Sequence, residues 1–237
     1  MEIIEKIKTN KSIDNQTEIQ KICLGKLQSS PLPNPKSEQW RLSNKSKFSN
    51  FLEYSVNEKD PKFYTPFPNT SQSTIRLVIG DNYQINLIEE NYSIKQLSED
   101  KLVKYIKEQI SCFDHNENWS DLLNLSLTCT KNTLGLKISG SEIPPIEIFS
   151  HASNNSFNAK TLVIFLEKNC DIDLLQVNLG KENSSLSQST FFCLEENSSI
   201  NHGVVSYGEN KSNLLNSLNV IQQNNSCLLY TSDAADE

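Results

Sequence analysis

The chain has 237 residues, of which 36% are hydrophobic, with seven Gly, one Met and a formal charge of −7. An acidic balance excludes the basic stripe of a nucleic-acid-binding surface. No run of about 18 apolar residues offers a membrane helix. The start, Met1-Glu2-Ile3-Ile4-Glu5-Lys6, lacks the apolar stretch of a signal peptide. A cytoplasmic protein is therefore expected, bound to neither nucleic acid nor membrane.

In chain order, residues 1–28 read as helical, with Ile19, Ile22, Cys23 and Leu27 forming an apolar stripe. Pro31, Pro33 and Pro35 stop it and favour an extended segment. Residues 36–73 are mixed and aromatic (Trp40, Phe48, Phe51, Tyr54, Phe63, Tyr64, Phe67) and suggest a small capping or docking region. A strand is expected at Ile75 to Ile79, closed by a turn at Gly80-Asp81-Asn82, with a short strand from Gln84 to Ile88. Leu97 to Phe113 carries the strongest helical pattern. Ser98 and Asp100 can cap it, and Leu102, Val103, Ile106 and Ile110 share one face. Trp119 to Leu127 reads as a second helix. From Leu134 onward, short apolar runs alternate with Asn/Ser turns, and no helix is expected.

An internal repeat occupies that second half. Aligning Thr161 to Leu186 with Ser189 to Leu214, 28 residues apart and without a gap, gives eight identities in 26 positions. They pair Leu166, Glu167, Asn169, Ile172, Val177, Gly180, Ser184 and Leu186 with their counterparts 28 residues on. Asn169, Asn183, Asn197, Asn210 and Asn224 mark a half-period at spacings of 14, 14, 13 and 14. Each half-period has room for one strand and one Asn-containing corner, where the left-handed conformation that Asn tolerates is needed. Two strands and two corners make one coil of a flattened solenoid, whose apolar face is buried only by stacking on its neighbours. A β-sandwich also suits short strands with turn signals, but rarely keeps a gap-free 28-residue register. The expected fold class is mainly β, an N-terminal α+β region followed by a parallel β-helix.

Residues 227–237, Cys-Leu-Leu-Tyr-Thr-Ser-Asp-Ala-Ala-Asp-Glu, resemble the read-through translation of a transposase-type sequencing adapter. The reading of the fold therefore stops at Ser226. It divides the chain into a mixed helical and α+β region over 1–133, the start of a C-terminally truncated β-helix over 134–226, and the adapter-like tail. A solenoid cut there exposes a sheet edge and is expected to aggregate or unfold in part.

Chemistry-bearing motifs are sparse. No Gly-rich phosphate loop, nucleophile elbow or H-E-x-x-H occurs. The six cysteines (Cys23, Cys112, Cys129, Cys170, Cys193, Cys227) form no C-x-x-C pair and read as buried small hydrophobes in a reducing compartment. His115, His151 and His202 stand apart, so no zinc site is expected. Asp114, His115 and Glu117 read as a solvated loop. His202 falls where the first repeat has Leu174, so it reads as an inward, hydrogen-bonded histidine. Glu167, Asp171 and Asp173 match no calcium loop. No residue is assigned a catalytic, cofactor-binding or metal-binding role, and the chain is expected not to be an enzyme.

Within 31–53, Leu32, Pro33, Lys36, Glu38, Trp40, Arg41 and Ser43 resemble the N-terminal L-P-x-x-K-x-E-x-W-(K/R)-(Y/F)-(T/S) motif of the SufB/SufD family, on its SufD side. Leu42 stands where that family usually has an aromatic. The order of parts is also similar, a strand pair, a helical stretch, then Pro144-Pro145-Ile146-Glu147-Ile148 leading into a right-handed β-helix. The resemblance implies a non-catalytic scaffold that pairs with SufB through its β-helix and joins the ATPase SufC in iron–sulfur cluster assembly. It implies no cofactor held by this stretch itself, cluster and ATP being handled by the assembled complex. The SufC-docking helices and the family's functional Cys and His would lie beyond Ser226, and Trp40 would be an anchoring aromatic. The alternatives are a generic protein-binding β-solenoid and a β-helix carbohydrate-active enzyme.

Overall fold

A computed structural model describes residues 17–29, 74–80, 85–113 and 120–235. The Trp40 motif, the aromatic stretch 36–73 and the Asp114-His115-Glu117 loop lie outside them. The described elements are α1 (Glu18–Ser29), β1 (Ile75–Val78), β2 (Asn86–Ile88), β3 (Tyr92–Gln96), α2 (Glu99–Phe113), α3 (Ser120–Cys129), β4 (Thr130–Gly140) and β5 (Ile146–Ala152). Six strands then follow without a helix: β6 (Phe157–Leu166), β7 (Asp171–Gly180), β8 (Ser185–Leu194), β9 (Ser199–Gly208), β10 (Asn213–Gln222) and β11 (Cys227–Ala235).

The architecture is a parallel β-solenoid of about four turns behind a small helical region. From β4 onward, consecutive strands never pair. They alternate between one sheet ordered β1-β5-β7-β9-β11 and another ordered β10-β8-β6-β4-β3-β2. Within each sheet the solenoid strands run parallel, and each residue lies beside the one 28 positions on, as with Leu162 and Thr190 or Ile172 and Ile200. That register is the repeat seen in the sequence. A β-sandwich, with its antiparallel Greek-key pairs, is thereby excluded.

The corners explain the period. Strands β6 to β10 are each 10 residues long, and four-residue corners link them. Each corner holds one residue in the left-handed region, at Asn155, Asn169, Asn183, Asn197, Lys211 and Asn225, every fourteenth position with φ between 53° and 59°. An L-residue is strained there, least so when its short amide can bond locally. Most corners end on Ser, whose hydroxyl donates to the carbonyl three residues back, as in Ser156 to Ser153 (2.7 Å), Ser198 to Glu195 (2.6 Å) and Ser226 to Gln223 (2.7 Å). Cys170 takes the serine's place in one corner.

The asparagine count drawn from the sequence slips once. Asn210 and Asn224 each precede the strained position, which Lys211 and Asn225 occupy, so the spacing is a uniform 14 and the apparent 13 vanishes. Tandem asparagines at 224–225 and a lysine at 211 hid the true phase.

Alternation within strands sorts side chains into an interior and two outer faces. Leu136, Ile138, Leu162, Ile164, Leu166, Ile172, Leu174, Phe192, Leu194 and Ile200 build one apolar interior cluster. Val163 and Phe191 point outward from β6 and β8. They pack with Ile19 and Cys23 of α1, Leu102, Ile106 and Ile110 of α2, and Leu123 and Leu127 of α3. The helices thus cover the outer face of one sheet. α1 opens on a capping box, in which Thr17 N donates to Gln20 Oε1 (2.7 Å) and Gln20 N donates back to Thr17 Oγ1 (3.4 Å). A Cβ on Gly135 would lie 2.2 Å from Leu102 Cδ2, so the missing side chain on β4 is what seats α2.

Two features depart from the sequence reading. β3 was not foreseen. It joins β2 and β4 in an antiparallel edge, with Ile94 fully buried. The alternation of Tyr92-Ser93-Ile94 is too short to stand out beside the helical pattern that follows it. The winding also runs on past Ser226, where Cys227–Ala235 pairs in register with β9. The tail set apart in the sequence reading is here a strand, because the corner at Gln223 to Ser226 delivers it in phase and Leu228 packs on the apolar cluster.

Candidate functional site

Part of the solenoid interior is polar. Ser150, Asn178 and Ser206 stack at 28-residue spacing in one sheet, and Lys160, Gln188 and Asn216 stack in the other. Across the interior these side chains bond in sequence. Thr190 Oγ1 donates to Gln176 Oε1 (2.9 Å), and Gln176 Nε2 to Asn178 Oδ1 (3.2 Å). Asn178 Nδ2 then donates to Asn216 Oδ1 (2.9 Å), and Asn216 Nδ2 to Ser206 Oγ (2.8 Å). Ser150 Oγ donates to Gln188 Oε1 at 2.5 Å. Lys160 is fully buried and its Nζ donates to the carbonyl of Ile79 (2.8 Å), tying the β1 turn to the solenoid. Buried amides cost several kcal/mol when left unpaired, so this seam fixes which strands can face one another. Sequence reasoning missed it. The signal is present as polar columns 28 residues apart, which apolar matches and asparagine corners do not reveal.

The outer surface carries ladders that connect successive coils. Asn197 Nδ2 donates to Asn169 Oδ1 and Asn225 Nδ2 to Asn197 Oδ1, both at 3.2 Å. Ser199 donates to Asp171 (2.5 Å) and Asn201 to Asp173 (2.8 Å). The acidic residues noted in the sequence are thus rungs of these ladders. Lys168 pairs with Glu196 (3.1 Å), Lys181 with Glu209 (2.6 Å), and Lys137 with Glu167. The Lys181 hydrogen bond holds the Glu209 carboxyl below its ordinary range. Arg76 lies over the Phe149 ring and pairs with Glu147 at 2.5 Å.

Four of the described cysteines are buried, as the sequence reading expects, and Cys227 departs from it. Cys23, Cys129, Cys170 and Cys193 are buried and reduced, and Cys227 is exposed. The Cys112 side chain lies outside the description. Burial pushes the Cys129 thiol up to about 12. Cys170 also reaches about 12, through burial first and then the charges of Asp171 and Glu167. Burial raises Cys193 as well, against a lowering hydrogen bond with Tyr105. Thiols held so high supply almost no thiolate at neutral pH, and the thiolate is the nucleophile and the metal ligand.

Among the described residues, no three His, Cys, Asp or Glu side chains come together in a metal-binding group. His151 is buried on β5. His202 points inward, as its alignment with Leu174 implies, but neither ring nitrogen finds a hydrogen-bond partner. The expectation of a hydrogen-bonded imidazole fails: the ring meets Phe192 and Tyr230 and lies beside Leu174. A cleft of about 290 Å³ lies where α1, α2, α3 and β4 meet, lined by Gln20, Glu99, Leu102, Leu127, Thr130 and Thr161 among others. Thr130 and Thr161 bond to each other (3.0 Å), and Gln20 Nε2 donates to the Thr130 carbonyl (2.7 Å). Gln20, Thr130 and Thr161 are thus engaged in holding α1 to β4 and β4 to β6. No helix of the described residues is long and apolar enough to cross a membrane.

Comparison with models of known protein families, with curated proteins and with solved structures finds no match.

Proposed function

We propose that the chain is a SufD-like scaffold subunit of the cytoplasmic SufB–SufC–SufD assembly for iron–sulfur clusters, presenting surface to partners and holding no catalytic site of its own. The observation that carries this reading is the solenoid itself. Coils of 28 residues, stacked in register behind a helical region, offer long sheet faces and ladder edges rather than a reaction chamber. Pro144-Pro145 leads directly into β5, the order of parts that the resemblance to the SufB/SufD family implies. From the sequence, the Lys36, Glu38 and Trp40 motif adds to it. Buried thiols with raised pKa fit a subunit whose cysteines in this stretch serve packing.

A second reading, a β-solenoid scaffold for other protein partners, rests on the stacked coils alone. Co-expression of the tagged chain with SufB and SufC separates the two. A stable complex that elutes with SufB on size exclusion is expected. A folded chain that captures neither subunit would leave the second reading standing.

A further inference from the structure

Among the described residues, an ionisable ring on the interior side of β9 has no hydrogen-bond partner. His202 on β9 is only 2% exposed, and both of its nitrogens lack a partner. Its ring meets the edge of Phe192 on β8, at 4.9 Å between centroids, and tilts against Tyr230 on β11, at 5.5 Å. Below it in the ladder lies Leu174 on β7. Of these neighbours only Tyr230 can ionise, and a phenol stays neutral in acid. Burial is what shifts its titration, with no charged neighbour contributing. The 28-residue alignment makes the oddity plain, since the same interior column holds Ile146, Leu174, His202 and Tyr230 in successive coils.

We propose that His202 is an acid-sensitive latch, whose neutral ring closes the coil containing β9 and whose protonation opens it. A charged ring in this column must find water, and the nearest route is separation of β9 from β11 and of β8 from the interior aromatics. At this interior column the coils built on Ile146 and Leu174 carry aliphatic side chains instead, and are expected to open later. The device therefore acts locally, on the stretch from about β9 to β11, before the rest of the solenoid is affected.

The sign of the linkage is fixed by burial. Desolvation lowers the His202 pKa from 6.5 to about 4. Between those values the unfolded or opened chain binds a proton that the closed coil refuses, so closure is favoured above 6.5 and lost as pH falls toward 4. A single proton changes the opening equilibrium about tenfold per pH unit, or about 300-fold across this window.

Two measurements test this. In the intact chain, the His202 imidazole resonance, assigned by its loss in His202→Phe, is expected to titrate well below 6.5. Hydrogen exchange at β9 to β11 is expected to accelerate between pH 6.5 and 4, after correction for intrinsic rates, while β5 to β7 stays protected. His202→Phe keeps a ring in the column and is expected to abolish that acceleration. A folded-state titration near 6.5, or equal acid sensitivity in His202→Phe and the parent chain, overturns the proposal. The titration needs no variant beyond the assignment, so a poorly folding His202→Phe leaves it decisive.

Discussion

Replacing Asn197 tests the corner mechanism most directly. Its φ of 56° places it in the left-handed region, where a residue with a Cβ is strained by roughly 1–2 kcal/mol and a β-branched one falls at the upper end. Its amide also donates to Asn169 and accepts from Asn225, both at 3.2 Å on an exposed edge, worth about 0.5 kcal/mol each at the low end of the usual range. Asn197→Val adds that strain and removes the ladder bonds, and is expected to destabilise by about 2–3 kcal/mol. Asn197→Gly loses the ladder but not the conformation, and is expected to cost only about 1 kcal/mol. Urea unfolding followed by circular dichroism reads the difference as a shift in midpoint at constant slope. The same strain applied to a lysine gives the converse. Lys211→Asn is expected to stabilise by up to about 1 kcal/mol, since Lys211 holds φ 56° without a short amide. Asn210→Ala, one position earlier, is expected to be near neutral, because Asn210 serves the corner through its backbone carbonyl, which accepts from Asn183 N (3.1 Å). If Val and Gly at 197 proved equally costly, or Asn210 more sensitive than Lys211, the corner assignment would fail.

The polar seam and the thiols give further expectations. Asn178→Ala strands the amides of Gln176 and Asn216 and is expected to cost about 2–3 kcal/mol. Combined with Asn216→Ala, the total is expected to fall short of the sum of the single costs by about 1 kcal/mol in a double-mutant cycle. Strict additivity would mean that the two amides do not act as one chain. Toward a thiol-specific reagent on the native protein, Cys227 is expected to react readily while Cys23, Cys129, Cys170 and Cys193 resist. Raising the pH from 7 to 10 is expected to leave Cys129 and Cys170 inert, because thiols near 12 remain protonated there. Rapid labelling of either in folded protein would contradict their burial.

Much of the solenoid was legible because its physics repeats. Leu166 over Leu194 and Ile172 over Ile200 are the same interior position one coil apart, so identity at 28 residues reported contact directly. Helices α1 and α2 were legible through Ile19, Cys23 and Leu27 and through Leu102, Ile106 and Ile110, which the structure buries. What escaped had no periodic label. β3 is five residues long and pairs antiparallel outside the repeat. The capping box at Thr17 lies inside a stretch that reads as continuous helix. The seam of Gln176, Asn178, Gln188 and Asn216 was hidden because polar residues in a strand read as solvent-facing until the partner across the interior is known. His202 was placed inward correctly, yet its lack of a partner depends on Phe192, a residue of the opposite sheet.

The ten-residue strands β6 to β10 and their four-residue corners limit how such a gene can lengthen. Duplicating 28 codons adds a whole turn and returns every side chain to its own column. Duplicating 14 would hand each later strand to the opposite wall, setting the helix-covered pattern of one sheet where the other belongs. Losing a single codon within a strand would turn the interior side of that strand outward. Growth and shrinkage are therefore confined to full turns, and tolerance for other insertions is confined to the corners, where the chain already reverses in the open.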